Sequence, residues 1–166
     1  RRLVDCLHRG AERFGWSSRI DAPRATLAGD WWVGTGVAAA TYPTYVMPGN
    51  QARVTALEGG RYRVEVGAVD IGTGAATVLA QIAADALGCP VASVEVRIGS
   101  TDLPAATVAG GSAGTSSWGG AVAAAVEQHR EDHGEHPSPG AETTAGGEAD
   151  PRQQEHAMHS FGAVFA

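Results

Sequence analysis

The stretch Val69–Ile98, VDIGTGAATVLAQIAADALGCPVASVEVRI, decides the fold. A strand closing at Asp70 runs into the tight turn Ile71-Gly72-Thr73-Gly74. A helix is then predicted from about Ala76 to Leu87, because Leu79, Ile82, Ala83 and Ala86 recur at i, i+3, i+4 and i+7. Gly88 stands where a helix places its left-handed C′ residue, and Pro90 follows just beyond. Val94–Ile98 alternates as a second strand.

Upstream, Gln51–Leu57 and Arg61–Val69 both alternate. Ala52, Val54 and Ala56 share one face, as do Tyr62, Val64 and Val66, and Glu58-Gly59-Gly60 between the runs predicts a hairpin. Arg1 to about Phe14 reads as a helix with Leu3, Leu7, Ala11 and Phe14 on one side and Gly15 as its stop. Downstream, an Ala-rich helix is expected from about Gly120 to Glu131, and the apolar run Phe161–Ala166 opens a further strand. The fold class is α+β, a hairpin-containing mixed sheet with packed helices.

Length and charge narrow the classes. The chain has 166 residues, enough to bury roughly two thirds of its unfolded surface. All twelve basic residues are Arg, and the formal net charge is −6. Residues 127–156 hold eight acids against two Arg, so the whole imbalance lies there; elsewhere ten acids meet ten Arg. The balance argues against a nucleic-acid partner, which requires a basic face. No apolar run reaches the length of a membrane span. The first residues lack a signal peptide's apolar stretch and an initiating Met, so an excised or partial chain is expected. Cys6 and Cys89 are too few for a disulfide framework, which points to a reducing, cytoplasmic compartment, or to the periplasm if the chain is exported with a partner subunit. Gly134–Pro151 has almost no large apolar side chain and reads as a mobile linker. The expected division is residues 1–126 as an α+β region, 127–156 as an acidic flexible insertion, and 157–166 as the start of a further strand.

Four constellations carry possible chemistry. Gly72-Thr73-Gly74 precedes a helix, whose free N–H groups and dipole favour an anion such as a phosphate; the alternative is a plain βα turn. A dinucleotide fingerprint fits less well, because Thr77 replaces the third glycine and no acid closes the next strand. Gly110-Gly111-Ser112-Ala113-Gly114-Thr115 forms a second N–H-rich cradle. It also matches G-x-S-x-G around Ser112, a hydrolase pattern without the preceding buried strand that pattern requires. His129, His133 and His136 have metal-ligand spacing, but their acidic surroundings read as a solvated helix end. Trp31-Trp32-Val33-Gly34-Thr35-Gly36 reads as aromatic packing beside a close backbone approach.

The order GTGVAAATYP, GRYRVEVGAVDIGTGAATVLAQIAADALGCPVASVEVRIGSTDLPAATVAGGSAGTSSWGGAVAAA resembles the xanthine dehydrogenase/aldehyde oxidase family. More closely it resembles the second molybdopterin-binding region of the molybdenum-bearing large subunit, over about residues 31–127, with residues 1–18 similar to the preceding helix and 159–166 to the strand that resumes after a variable insertion. The resemblance implies a partial molybdopterin-binding domain. It implies oxidative hydroxylation of an aldehyde or N-heterocycle with water as oxygen source. The cofactor is molybdopterin carrying molybdenum, in bacteria often the cytosine dinucleotide form. Carried over by motif, Ile71, Gly72, Thr73 and Gly74 form one contact loop, and Gly111, Ser112, Ala113, Gly114 and Thr115 the other. The implied partners are the remainder of the large subunit and iron–sulfur and FAD-binding subunits or domains, together with a small-molecule substrate.

The sequence departs from the family at particular positions. Thr73 stands where many members have Gln, as in some aldehyde-oxidising bacterial members. Ser100 replaces the usual Asp, and Ala113 an Arg often found there. The family's catalytic Glu is expected beyond the counterpart of Ala166, so no catalytic residue is assigned and the isolated chain is expected to be inactive. A non-catalytic module that kept the fold is the alternative, and a serine hydrolase using Ser112 a distant third.

Overall fold

In the computed structural model, residues 2–43, 45–147 and 159–166 are described. In chain order the elements are α1 (Leu3–Phe14), β1 (Thr26–Ala28), β2 (Trp31–Val33), β3 (Val37–Pro43), β4 (Gln51–Leu57), β5 (Arg61–Glu65), α2 (Ala75–Leu87), β6 (Val94–Arg97), α3 (Gly114–His133), β7 (Glu142–Gly146) and β8 (His159–Phe165). They group into two compact units, one from Arg1–Pro43 with Ala157–Ala166, the other Thr44–His156.

In the first unit α1 stops where expected: Gly15 takes the left-handed conformation (φ 77°) and its N–H returns to the Glu12 carbonyl at 3.1 Å. β3 pairs antiparallel with β8 from Val37↔Phe165 to Pro43↔His159. Phe165 meets Phe14 and Trp16 with ring centroids 6.0 and 5.7 Å apart. β1 and β2 form a two-stranded hairpin. The expectation of packed tryptophans beside a close backbone approach fails here. Trp31 and Trp32 are 78 % and 60 % exposed, and a Cβ at Gly34 or Gly36 would meet nothing within 4 Å.

The second unit is a four-stranded sheet in the order β6-β5-β4-β7 with α2 and α3 packed against it. β4 and β5 form the hairpin read from the sequence, with Leu57↔Arg61 closing the register and Gly59 and Gly60 both at positive φ. β5 and β6 run parallel, and α2 supplies the crossover that parallel strands need. Ala52, Val54, Val64 and Val66 face the core, where they meet Leu79 and Ala83 of α2 and Trp118, Val122, Ala125 and Val126 of α3. Gly88 ends α2 with φ 69°, and the Cys89 N–H reaches the Ala84 carbonyl at 3.0 Å.

Three expectations about extent are corrected. The strand read to Val69 is regular only to Glu65, although Val66 N–H still donates to Arg97 O and Gly99 N–H to Ala68 O. The last helix begins at Gly114, six residues before the expected Gly120; Gly119 sits where α3 packs closely on Ile82, and the helix runs through Gly120 on its exposed side. Part of the supposed linker, residues 127–147, is built into the fold. The final turns of α3 carry their acids outward and His129 inward, and β7 pairs with β4 from Gln51↔Gly146 to Thr55↔Glu142. A strand as polar as Glu142–Gly146 holds because it is an edge strand that buries only small side chains, Thr143 at 7 % exposure and Ala145 in part. The remainder of that segment, 148–156, lies outside the described residues.

Candidate functional site

A cavity of about 370 Å³ opens beside the N-termini of α2 and α3. Its size lies in the range of ligand pockets, roughly 300–1,000 Å³. One wall is Ile71 and Thr73 with Ala75, Val78 and Leu79 from the start of α2; the other is the loop Ala109–Gly114 with Thr115 and Trp118 of α3. Of the nine residues expected to contact a cofactor, seven therefore line one space: Ile71, Thr73, Gly111, Ser112, Ala113, Gly114 and Thr115. Gly72 and Gly74 do not line it; they shape the turn, with φ of 95° and 72°.

The turn at α2 differs from the open anion cradle that its glycines suggested. The Asp70 carboxylate reaches forward, and its Oδ1 accepts the N–H groups of Gly72 and Thr73 at 2.9 Å and of Gly74 at 3.2 Å. The carboxylate thus ties down the turn just ahead of α2, while the Gly74 N-cap itself has no side-chain cap bond. Partial desolvation pushes the Asp70 carboxyl upward, but the backbone donors Gly72, Gly74, Thr73 and Ala75 outweigh it, and the net shift is below the ordinary value of 3.8.

The start of α3 is different. Ala113 occupies the N-cap with no side-chain cap bond, and the N–H groups of a helix's first turn have no intrahelical acceptor. Ser112 sits just before it at φ 55°, a conformation that costs a non-glycine residue energy. Gly114 is required where it stands: a Cβ there would lie 2.8 Å from the Trp118 ring. This loop is held from behind by a buried network. Asn50, 3 % exposed, accepts from Thr107 N–H at 2.7 Å and Thr107 Oγ1 at 2.9 Å, and its Nδ2 donates to Met47 O at 2.6 Å. Trp118 Nε1 donates to Thr107 O at 3.1 Å. The Ser116 hydroxyl donates to Tyr45 O, and Ser117 Oγ accepts from Met47 N–H at 2.9 Å. Those two hydroxyls serve segment 45–47, so on this loop's side of the cavity the hydroxyls are those of Ser112 and Thr115, with Thr73 on the opposite wall.

Sequence reading missed Asp70, Asn50, Thr107 and Trp118. An Asx-type residue just ahead of a glycine turn was the available signal for Asp70; Asn50 and Thr107 are 57 residues apart, and nothing local links them. The hydrolase reading gains no support, because the cavity lining holds no histidine or carboxylate beside Ser112. Ser100, where the resemblance led to an expected Asp, forms a local turn with Asp102 instead.

The histidine cluster also departs from expectation. His129 is 1 % exposed rather than solvated, with its ring centroid 4.8 Å from that of His133. Thr143 Oγ1 donates to Asp132 Oδ2 at 3.1 Å, so the 3.2 Å contact between His129 Nδ1 and Thr143 Oγ1 places the proton on Nδ1, and Nε2 is buried without a partner among the described residues. Among the described residues no group of three or more His, Cys, Asp or Glu side chains is placed to hold a metal ion. Nor is any helix among them long and apolar enough to cross a membrane.

Residues 9–143 match the molybdopterin cofactor-binding domain family. Among curated proteins, the aldehyde oxidoreductase molybdenum-binding subunit PaoC of Escherichia coli K12 is 39 % identical over 131 residues, covering 79 % of this chain and 18 % of that protein. The probable hypoxanthine oxidase XdhD of the same strain is 38 % identical over 102 residues, covering 60 % of this chain and 10 % of that protein. Among solved structures, CO dehydrogenase from Oligotropha carboxidovorans aligns with a TM-score of 0.64 at 20 % identity, over 80 % of this chain and 23 % of that one. The aldehyde oxidoreductase of Desulfovibrio desulfuricans aligns over 99 % of this chain and 17 % of that one, with a TM-score of 0.57 at 21 % identity. The chain thus spans under a fifth of the length of the curated relatives it matches. With the motif loops converging on one cavity and the family match running through both, the chain belongs to the molybdopterin cofactor-binding domain family of the xanthine dehydrogenase and aldehyde oxidase enzymes.

Proposed function

We propose that this chain forms part of the cofactor cradle of a molybdenum hydroxylase that oxidises an aldehyde or an N-heterocycle. The observation that carries the reading is the convergence of the Ile71–Gly74 turn and the Gly111–Thr115 loop on one cavity. The aldehyde side is favoured, since the relative with 39 % identity is named for aldehyde oxidation and Thr73 agrees with aldehyde-oxidising members.

The residues present fit such a group. Gly111, Ser112, Gly114 and Thr115 offer backbone N–H groups and two hydroxyls to phosphate and pterin atoms. Ile71, Val78, Leu79 and the Trp118 ring give an apolar wall that keeps water from the cofactor's edge. Thr73 presents a short hydroxyl where Gln would reach further. When bound, the molybdenum cofactor supplies two-electron oxidation of the substrate. The chain's own residues hold and orient it. The cofactor such a cradle would take is molybdopterin carrying molybdenum, with the cytosine dinucleotide form among its variants. Electrons leave through iron–sulfur and FAD-binding subunits or domains, and the rest of the large subunit completes the pocket. The compartment is cytoplasmic, or periplasmic if a partner subunit carries the chain across.

The test is elemental analysis of the untagged protein purified from its native host with whatever accompanies it. Molybdenum and iron together are the expected result. A folded protein without molybdenum would overturn the reading in favour of a non-catalytic module that kept the fold.

A further inference from the structure

We propose that His129, with His133 one helical turn on, is a proton-operated latch: while neutral it clasps the edge strand β7 to α3, and acid releases β7 while the rest of the sheet holds. The latch is independent of the cofactor reading. It lies near the C-terminus of α3, whereas the cavity opens beside the N-termini of α2 and α3.

The clasp is a chain of hydrogen bonds between the two elements. His129 Nδ1–H donates to Thr143 Oγ1 of β7 at 3.2 Å, and the Thr143 hydroxyl donates back to Asp132 Oδ2 of α3 at 3.1 Å. His133 Nε2 donates to the Glu142 carbonyl of β7 at 3.4 Å. β7 stands at the sheet's edge, paired with β4 alone among the described strands. It buries only Thr143 and part of Ala145, so little apolar surface holds it in place of the clasp.

A second proton on His129 has to go to the other nitrogen. Nε2 is buried with no partner among the described residues, in a ring 1 % exposed. A charge and an unmatched donor there are costly. The surroundings supply no acceptor for it. On α3, Asp132 reaches the ring through Thr143, on the Nδ1 side. The His133 ring centroid lies 4.8 Å away, and once charged it repels a second charge. Tyr62 of β5 packs edge-on at 6.2 Å. Arg130, Glu135 and His136 line the small cavity beside the ring, where Arg130 and Glu135 pair with each other at 3.4 Å. Leu87 and Gly88, at the end of α2, bring no charge. Arg53 of β4 and Glu142 of β7 pair with each other at 3.6 Å, and Arg53 alternates with the core-facing Ala52 and Val54, which puts it on the other face of the sheet. Burial, then His133, therefore hold the ring neutral against the opposing pull of Asp132. Once β7 lifts away the ring meets water and takes the proton, so a fall in pH favours the open form.

The experiment is amide hydrogen exchange on the full isotope-labelled chain, read as protection factors between about pH 7.5 and about pH 5, the span in which histidine gains its charge. Protection of residues 142–146 is expected to fall with acid, by up to about tenfold per pH unit for one proton, while β5 and α2 keep theirs. The His129 imidazole signals are expected to show the Nδ1–H form at neutral pH and to gain the second proton over the same span. His129→Gln, whose amide can still donate to Thr143 but does not titrate, is expected to leave β7 protection flat with pH. His133→Gln, at an exposed position, removes the neighbouring charge and is expected to shrink the response without abolishing it. Constant protection of 142–146 in the wild type would overturn the proposal, as would an undiminished loss in His129→Gln. A loss that β5 and α2 share in step would also overturn it, because that is global unfolding. The unsubstituted chain decides the matter even if His129→Gln does not fold: a His129 ring that gains its second proton while β7 stays protected would sink the latch.

Discussion

Asn50 shows how one side chain can hold a loop in place. Its amide satisfies Thr107 N–H, Thr107 Oγ1 and Met47 O at once, at 3 % exposure. Asn50→Ala leaves the half-buried Thr107 N–H and Met47 carbonyl without their partner, at about 1–2 kcal/mol each, so a loss of roughly 2–4 kcal/mol is expected in urea unfolding. The amides of 107–115 are expected to exchange faster in the same variant, because the Trp118 Nε1 hydrogen bond to that loop is made to Thr107 O. His129 makes a different prediction. Burial lowers its pKa below the ordinary 6.5, and the neighbouring His133 adds to that, against the opposing pull of Asp132. The folded state therefore resists a proton that the unfolded chain accepts. The stability this neutral ring contributes is complete above pH 6.5 and is lost as pH falls toward the folded value. Urea midpoints are expected to fall on acidification through that window, and His129→Leu to flatten the slope.

At the scale of elements, the close approach of α2 and α3 is set by small residues. A Cβ on Gly119 would lie 2.7 Å from Ile82 Cδ1, the far end of a flexible side chain. Gly119→Ala is therefore expected to stay within about 1 kcal/mol of wild type, the Ile82 shift offset by the helix propensity gained. Gly119→Leu has no such escape and is expected to cost about 1–3 kcal/mol by thermal unfolding. The elements differ in how legible they were. α2 and the β4–β5 hairpin announce themselves through apolar periodicity and glycine punctuation, and both formed where the pattern placed them. β7 does not, because Glu142-Thr143-Thr144-Ala145-Gly146 has no large apolar residue, and its place follows from pairing with β4 across about ninety residues of chain. The same holds inside the site. The two glycine loops were visible as motifs, whereas their convergence depends on the βαβ crossover and on Asn50, and neither is a local signal.

For the whole molecule, the division of labour between its units and beyond them decides what the chain does alone. The unit holding the cavity has a four-stranded sheet under two helices, while the other has two-stranded sheets, which are marginal on their own. Amide exchange is expected to be slowest in β4, β5 and α3 and fastest in β1 and β2. The larger consequence concerns chemistry. Hydroxylation of an aldehyde or a heterocycle requires a group that takes up a proton near neutral pH. The cavity is lined by Ile, Thr, Ala, Val, Leu, Gly, Ser and Trp alone, none of which titrates there. Under the proposed reading these residues would bind and orient the cofactor, and none of them would move a proton. A cofactor held in this cradle would meet a base only from a part of the assembly beyond this wall, in keeping with a chain that spans 18 % of PaoC. The isolated 166-residue chain, supplied with cofactor and an electron acceptor, is therefore expected to turn over neither an aldehyde nor a purine, whereas under the proposed reading the assembly from its native host is expected to turn over one of them. Turnover by the chain alone, with an ionisation near neutral pH in its rate profile, would place a base inside this wall and overturn the assignment of its residues to binding.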